Sequence, residues 1–167
     1  MKTKKIIILS FLALLSFSTF AQNKFGYIDS SELLSLMPEK KTAEGELQTF
    51  AKSLESQLGA MQAEYQASVQ DYQANEATYT DLVKQDKIAE ITNLEQRIQS
   101  FQQNAQNALQ KKEQELLEPI LAKARTAIED VAKEGKFTYI FDSSMGSILY
   151  ADENENVMSL VKKKLGL

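Results

Sequence analysis

The sequence of 167 residues contains no cysteine and no histidine. Disulfide bonds are therefore excluded, and so are the zinc, haem and thiol sites that depend on these two residue types. The six glycines are scattered along the chain, so no glycine-rich loop is predicted to hold a phosphate group. We therefore expect neither a metal nor another cofactor, and we expect that the protein is not an enzyme.

Long hydrophobic runs are missing except at the N-terminus. Lysines within residues 1–5 precede an apolar run over residues 6–17, and small residues lead to Ala21. This order is typical of a secretory signal peptide, and we predict cleavage after Ala21. The alternative, a membrane anchor, is disfavoured because the apolar run is too short to cross a bilayer of about 30 Å.

An excess of basic charge is also absent. Lys and Arg number 19 against 23 Asp and Glu, and cleavage after Ala21 would remove Lys2, Lys4 and Lys5. The mature chain is then near −7. A general nucleic-acid binder neutralises phosphates with basic side chains, so nucleic acid is not an expected partner.

Glycine and proline are both absent from residues 60–118, a stretch that is rich in Gln, Ala, Glu, Lys and Leu. This composition predicts a long helix. A globular domain has no need of so long a helix. The stretch must therefore span a distance as a single helix, dimerise or fold back on itself.

Apolar residues recur at intervals of seven along this region, which is typical of a coiled coil. A polar segment at residues 83–87 separates a first seam from a second. We predict a turn near residues 83–87 and an antiparallel helical hairpin with arms about 70 Å long; the alternative is one unbroken helix. The first seam consists of Leu47, Leu54, Met61, Ser68, Asn75 and Leu82 together with Ala51, Leu58, Tyr65, Tyr72 and Tyr79. The second consists of Ile91, Ile98 and Ala105 together with Leu94, Phe101 and Ala108.

The second seam changes phase at residues 110–115, just before Pro119. A proline inside a helix should kink it or break it locally. A turn near residue 85 would place Gly59 opposite this region, so Gly59 and Pro119 are predicted to form a shared hinge; alternatively, both are tolerated without consequence. The apolar positions expected after the shift are Leu117, Leu121, Ala124, Ile128 and Val131.

Short strand and turn signals occupy both ends of the mature chain. Aromatic and β-branched residues predict a strand at residues 25–28, a buried strand at 137–142 and another strand at 148–150. Asp29 is expected to cap a short helix, Pro38 to begin the long helix and Gly135 to end it as its C′ residue. A last amphipathic helix is predicted over residues 157–165.

These signals predict an α+β fold that is mostly α. A helical hairpin over residues 39–134 is inserted in a small β-containing body made of residues 22–38 and 135–167. A body of about 50 residues is only marginally stable alone, and its short strands leave sheet edges unpaired. We therefore expect the body to oligomerise. The residues expected to form this oligomerisation body are Phe25, Tyr27, Ile28, Phe137, Tyr139, Phe141, Ile148 and Tyr150.

Three tyrosines at intervals of seven, Tyr65, Tyr72 and Tyr79, stand out in the first arm. They can pack the seam against the second arm, or they can contact a bound partner, and the sequence leaves both open. The facing residues in the first case are Phe101, Ile98 and Ile91. Tyrosine and methionine cover irregular apolar surfaces, which suits a protein with many partners. The candidate partner-binding residues are Met61, Tyr65, Tyr72, Tyr79 and Leu82.

Motifs at both ends of the mature chain carry a family resemblance. They are KFGYID at residues 24–29, LL at 33–34 and PE at 38–39, followed by Pro119, IEDVAKEG at 128–135, FTYIFD at 137–142 and ILYAD at 148–152. With these motifs the chain resembles the Skp/OmpH family of periplasmic chaperones over essentially its whole mature length. The two ends are the specific part of this resemblance, because long helical arms look alike in many proteins.

The resemblance implies a homotrimer in the periplasm, with strands gathered in a central body and three helical hairpins around a cavity. It implies a holdase that keeps unfolded outer-membrane proteins from aggregating without ATP. The alternative function is a non-chaperone coiled-coil scaffold or spacer of the cell envelope. Familiar members have strongly basic arms, whereas residues 39–133 here hold 11 basic and 16 acidic side chains. The acidic arms argue against lipopolysaccharide or anionic lipid as a partner.

Overall fold

The computed structural model describes residues 23–167, so the signal peptide predicted over residues 1–21 lies outside the described residues. Within residues 23–167, no helix combines the length and the apolar character needed to cross a membrane. The main elements of this part are β1 Phe25–Ile28, α1 Ser30–Leu36, α2 Pro38–Asn75, α3 Asp81–Glu134, β2 Tyr139–Asp142 and α4 Met158–Leu165. Helices α2 and α3 pack on each other as a long hairpin between the two strands, which confirms the predicted fold class.

The first two helices begin where the sequence predicts. Oδ1 of Asp29 accepts a hydrogen bond from the backbone N–H of Glu32 at 2.9 Å and so caps α1. Pro38 stands in the first turn of α2, where the N–H that proline lacks would have no partner inside the helix.

The turn between the long helices comes earlier than predicted. Helix α2 ends at Asn75, a 3-10 turn spans Glu76–Thr78, and residues 83–87 are already helical. Helix α3 starts here because the Thr80 side chain accepts a hydrogen bond from Val83 N–H and because Asp81 places a negative charge in the first turn. The prediction of a turn near residues 83–87 is therefore wrong, because it overlooked this capping pair.

The hydrophobic core lies in the body and in the adjoining base of the hairpin. On α3 the buried side chains at this end are Ile120, Ala124, Ala127 and Val131, a spacing that keeps them on one helix face. Leu121 was expected in this stripe but is 48% exposed, because Ile120 occupies the buried position beside it. The buried core consists of Ile28, Leu33, Met37, Ala43, Ile120, Ala124, Ala127, Val131, Val157 and Val161.

Helix α3 continues through Pro119 from Asp81 to Glu134, so the proline does not break it. Pro119 lines a recess together with residues 39–46 at the base of the hairpin. Ala60 and Met61, beside Gly59, instead line a gap with Arg97. Gly59 and Pro119 therefore do not face each other, because the turn lies earlier than the prediction assumed.

Strands β1 and β2 pair in parallel, with Phe25 opposite Tyr139. A bridge between Tyr27 and Asn156 continues the sheet on the other edge of β1. Residues 148–150 form no strand, contrary to prediction. Strand β2 is not the buried strand predicted either, since Tyr139 is 61% exposed and no described element covers its outer face.

The ring of Phe137 is held between two glycines. A Cβ atom at Gly26 would lie 3.0 Å from Cε1 of the ring, and one at Gly135 would lie 2.7 Å from Cδ2. Nζ of Lys24 lies 4.0 Å from the ring centroid and donates a hydrogen bond to the carbonyl of Gly135. Gly135 ends α3 as predicted, but with φ −81°, while Lys136 takes the positive φ of 54°. Space for the aromatic ring, and not backbone freedom, requires glycine at residue 135.

Candidate functional site

The candidate site is the hairpin of residues 39–134, which we call the arm. All ten predicted seam residues of α2 and of the turn, from Leu47 to Tyr79, are partly buried. The facing seam of α3 is likewise partly buried, and Leu94 is its best-covered member at 3% exposure. Between residues 44 and 119 Leu94 is the one buried side chain. The predicted heptads therefore do form the contact between the helices, but this contact is loose.

Open gaps lie between the two helices at two places along the seam. A gap of about 670 Å³ is bordered by Ala60 and Met61 on α2 and by Arg97 and Phe101 on α3. A second gap of about 740 Å³ lies nearer the body, beside Ala51. Since neither gap is filled by the arm's own side chains, the inner surface of the arm can change shape or accept apolar groups at low cost.

The earlier turn also changes which residues face each other. Phe101 shares its gap with Met61, whereas the sequence interpretation placed Tyr65 against it. Near the tip, Nζ of Lys87 lies 3.6 Å from Oδ2 of Asp71 and fixes the pairing of the two helices. Tyr72 and Tyr79 pack on each other, with ring centroids 6.4 Å apart. Tyr65, Tyr72 and Tyr79 are partly buried, so each keeps some surface accessible.

The tip of the arm is tied together by hydrogen bonds to carboxylates. The Tyr79 hydroxyl donates to Oδ2 of Asp71 at 3.2 Å, and the Tyr72 hydroxyl donates to Glu76 at 3.3 Å. Desolvation and these carboxylates raise the pKa of both tyrosines. A hydrogen bond to Glu90, followed by the charge of Asp71, raises the pKa of Lys87. Both phenols and the ammonium group are therefore protonated at neutral pH and act as donors.

Just beyond the turn, α3 exposes three large apolar side chains within its first eight residues. Leu82 is 69% exposed, Ile88 50% and Val83 37%. The sequence interpretation selected Leu82 as a seam residue, and the structure places it outside the seam. Val83 and Ile88 were missed because they follow no heptad position. The end of the arm thus presents apolar surface that the arm does not use for its own stability.

A second exposed apolar surface lies on the body, at the far end from the arm's tip. The rings of Phe25, Tyr139 and Phe141 form a cluster with centroid separations of 6.0–6.2 Å. All three are at least 40% exposed. Aromatic rings stacked on one another over an uncovered sheet are typical of a surface that is buried in an assembly.

The other residues predicted for the oligomerisation body lie in different surroundings. Ile28 is 2% exposed and belongs to the protomer's own core, and Phe137 packs beside that core. Tyr27 and Ile148 are partly buried. Tyr150 is 87% exposed, together with Met145 at 87% and Leu149 at 98%. Met145 and Leu149 were missed, although Met145 lies between two predicted strands and Leu149 lies within the second of them.

A polar cluster joins the two ends of the body. Oδ2 of Asp142 accepts a hydrogen bond from the Ser30 hydroxyl at 2.5 Å, and Oδ1 accepts from the backbone N–H groups of Ser30 and Ser144. Desolvation raises the pKa of Asp142, but these hydrogen bonds outweigh it and lower the pKa to about 2. The cluster ties α1 to the end of β2, and it contains no base that could activate a serine.

Two comparisons with known proteins agree with this geometry. A family model described as "Outer membrane protein (OmpH-like)" matches residues 24–165. A crystal structure from Caulobacter crescentus CB15, provisionally described as an outer membrane chaperone (OmpH-like), superposes with a TM-score of 0.76. It shares 16% sequence identity and covers 87% of this chain and 85% of its own, so it has the same fold. No curated protein matches the sequence at a significant level.

Proposed function

Since the chain belongs to the OmpH-like outer membrane protein family, we propose that it is a chaperone of the periplasm that holds unfolded outer-membrane proteins without ATP. The protein acts as a homotrimer whose bodies associate and whose arms surround a cavity. Unfolded chains bind inside this cavity and are kept from aggregating. The activity is binding, with no chemical step, and needs no cofactor.

The uncovered aromatic cluster of Phe25, Tyr139 and Phe141 supports association through the body. A body with a two-stranded sheet and an exposed β2 edge gains stability when copies cover this face. Association there leaves the arms free to extend from a common centre. A trimer therefore places three loosely packed arms around one volume, which raises the local concentration of weak binding surfaces.

The observation that carries the proposal is the scarcity of buried side chains in the arm. A helical hairpin built only to be rigid would bury its seam, whereas here Leu94 is the one buried side chain between residues 44 and 119. The partly covered seam, its gaps and the exposed Leu82 offer many small apolar contacts. Each contact is weak and reversible, and many together hold an unfolded chain without a fixed binding pose.

The proposal is tested by diluting a denatured outer-membrane barrel protein from urea, with and without the mature chain of residues 22–167. We expect stoichiometric trimer to suppress the rise in light scattering. Scattering that is unchanged by the trimer contradicts the holdase. Mass measurement in solution checks the oligomer, which should have three times the protomer mass. A pull-down from an envelope extract should yield a range of barrel proteins, whereas a single stoichiometric folded partner favours a scaffold.

The tyrosines test the role of the arm within this proposal. The triple change Tyr65→Ser, Tyr72→Ser and Tyr79→Ser removes three rings from the seam and should weaken binding of the unfolded barrel protein while the body stays trimeric. The matched triple change to Phe keeps the rings and should retain binding. Circular dichroism at 222 nm is the control, because a loss of arm helicity in the Ser variant would assign the rings to helix packing.

A further inference from the structure

The negative charge of the arm is concentrated at its outer end. Residues 55–107, which form the distal half of the arm, contain 8 acidic and 3 basic side chains. The proximal half, residues 39–54 and 108–133, contains 8 of each. The net charge of −5 over residues 39–133 therefore lies in the distal half.

Most of the distal carboxylates are also left without an ion pair among residues 23–167. Of the three distal cations, Lys87 is already paired with Asp71 and Glu90. Six of the distal carboxylates take part in no ion pair within the part of the chain that the structure describes. They belong to Glu55, Glu64, Glu76, Asp81, Asp86 and Glu95.

Apolar surface accompanies this charge. Leu82, Val83 and Ile88 are exposed on α3, and the gap bordered by Met61 and Phe101 opens in the same half of the arm. An occupant of this surface must therefore bring apolar groups together with positive charge. A second arm is a poor occupant because its distal half carries the same −5 charge, and an anionic lipid surface is repelled for the same reason.

We propose that the distal half of the arm selects unfolded polypeptide segments that combine lysine and arginine with apolar residues. This inference rests on the proposed holdase function and adds to it the chemical class of the bound segment. The apolar contacts of the tip hold the chain, while the unpaired carboxylates attract its cations and reject acidic segments. The neutral proximal half contributes no charge selection.

The test uses two unfolded polypeptides that share one order of apolar residues and differ only at their charged positions. One carries lysine at all of these positions, and the other carries glutamate. Binding of each fluorescently labelled chain to the mature protein is measured by anisotropy. We expect the lysine chain to bind at least about tenfold more tightly at low ionic strength, with the ratio falling towards about two in 0.5 M salt, where charges are screened beyond a few Å.

Matched variants locate the selectivity. Both variants neutralise three carboxylates that form no ion pair within residues 23–167, so the change in net charge is identical. The distal variant should lower the preference for the lysine chain by about threefold or more, whereas the proximal variant should leave it unchanged. The distal changes are Glu55→Gln, Glu64→Gln and Glu95→Gln. The proximal changes are Glu46→Gln, Glu113→Gln and Glu118→Gln.

The apolar part of the surface has its own pair of variants. Leu82→Ser should weaken binding of the lysine chain and binding of the glutamate chain by the same factor, because it removes a contact that both chains make. Leu121→Ser, at an exposed leucine near the base of the arm, should leave the binding affinity of both chains unchanged.

Each outcome separates the inference from the proposed function. Equal binding of the two chains overturns the charge selection but leaves the holdase intact, and so does a distal variant that behaves like the proximal one. Binding of neither chain, together with unsuppressed aggregation of the barrel protein, overturns both. Tighter binding of the lysine chain that the distal variant abolishes supports the inference.

Discussion

Gly135 in the body and Gly59 in the arm lie in helical backbone but have opposite surroundings. A Cβ atom at Gly135 would clash with the Phe137 ring, whereas one at Gly59 would meet no atom within 4 Å. At Gly26 and Gly135 the body has filled the space that a side chain would take, whereas the surroundings of Gly59 in the arm are open. Stability is concentrated in the body, and the arm keeps surface available for other chains.

The largest effect should come from Gly135→Ala. Its backbone φ of −81° suits alanine, so the change acts through the Cβ atom, which forces the Phe137 ring against Gly26. We expect a loss of about 1–3 kcal/mol in the free energy of unfolding, as for other overpacked cores. Urea denaturation, monitored by near-UV circular dichroism of the body tyrosines, measures this loss of free energy. An unchanged midpoint would contradict the close fit of this ring.

A smaller effect is expected for Asp142→Asn, which tests the other closely fitted contact of the body. At pH 7 the free energy of unfolding should be lower by about 1 kcal/mol in this variant. The effect is small because Asp142 is partly open to solvent, which screens its hydrogen bonds. The matched control in the arm is Asp86→Asn, because Asp86 makes no hydrogen bond or ion pair among the described residues. Asp86→Asn should leave stability unchanged.

The same carboxylate gives a pH dependence with a defined sign. The pKa of Asp142 is lowered to about 2 in the folded protein from an ordinary value of 3.8. Its contribution is therefore fully present above about pH 4 and is lost as the pH falls towards 2. Wild type and Asp142→Asn should differ at pH 7 and converge at pH 2. A constant difference across this range would show that the hydrogen bonds do not depend on the charge.

The smallest effect, and one of opposite sign, is expected for Gly59→Ala. Alanine in a helix interior is favoured over glycine by about 0.5–1 kcal/mol, and open space around residue 59 removes the steric penalty. Amide hydrogen exchange in α2 should slow in this variant. Faster exchange would mean that a side chain at residue 59 disturbs α2 in solution and that the contrast between body and arm is weaker than the structure indicates.

Features that depend on neighbouring residues could be predicted from the sequence. The Asp29 cap, the Pro38 start and the heptads each arise from groups within a few residues, so the two long helices and their contact face were predictable. The turn was misplaced because the heptad positions continue through the Thr80–Asp81 start, from Tyr79 to Leu82, and no glycine marks it. Its misplacement then shifted every facing pair, including the one predicted for Tyr65.

Features that depend on distant residues could not be predicted in the same way. Asp142 accepts hydrogen bonds from Ser30, which is 112 residues away. The residues next to Asp142 in the sequence therefore do not predict these hydrogen bonds. The exposure of Tyr139 and Phe141 depends on what covers β2, and no pattern within β2 contains that information. The candidate binding residues were placed in the seam correctly from Met61 to Tyr79, whereas Leu82 was not, because the seam ends where the chain turns.

The parallel pairing of β1 with β2 also sets an order of events during folding. Strand β1 is made first, and its partner follows only after the whole arm. Strand β1 therefore keeps this edge unpaired until β2 reaches it. The arm's contacts are short-range along the chain near its tip, so the hairpin can close first and carry β2 to β1, which reduces the entropy lost in joining the ends. The segment that is least stable in the finished protein is therefore the one that allows the most stable part to form.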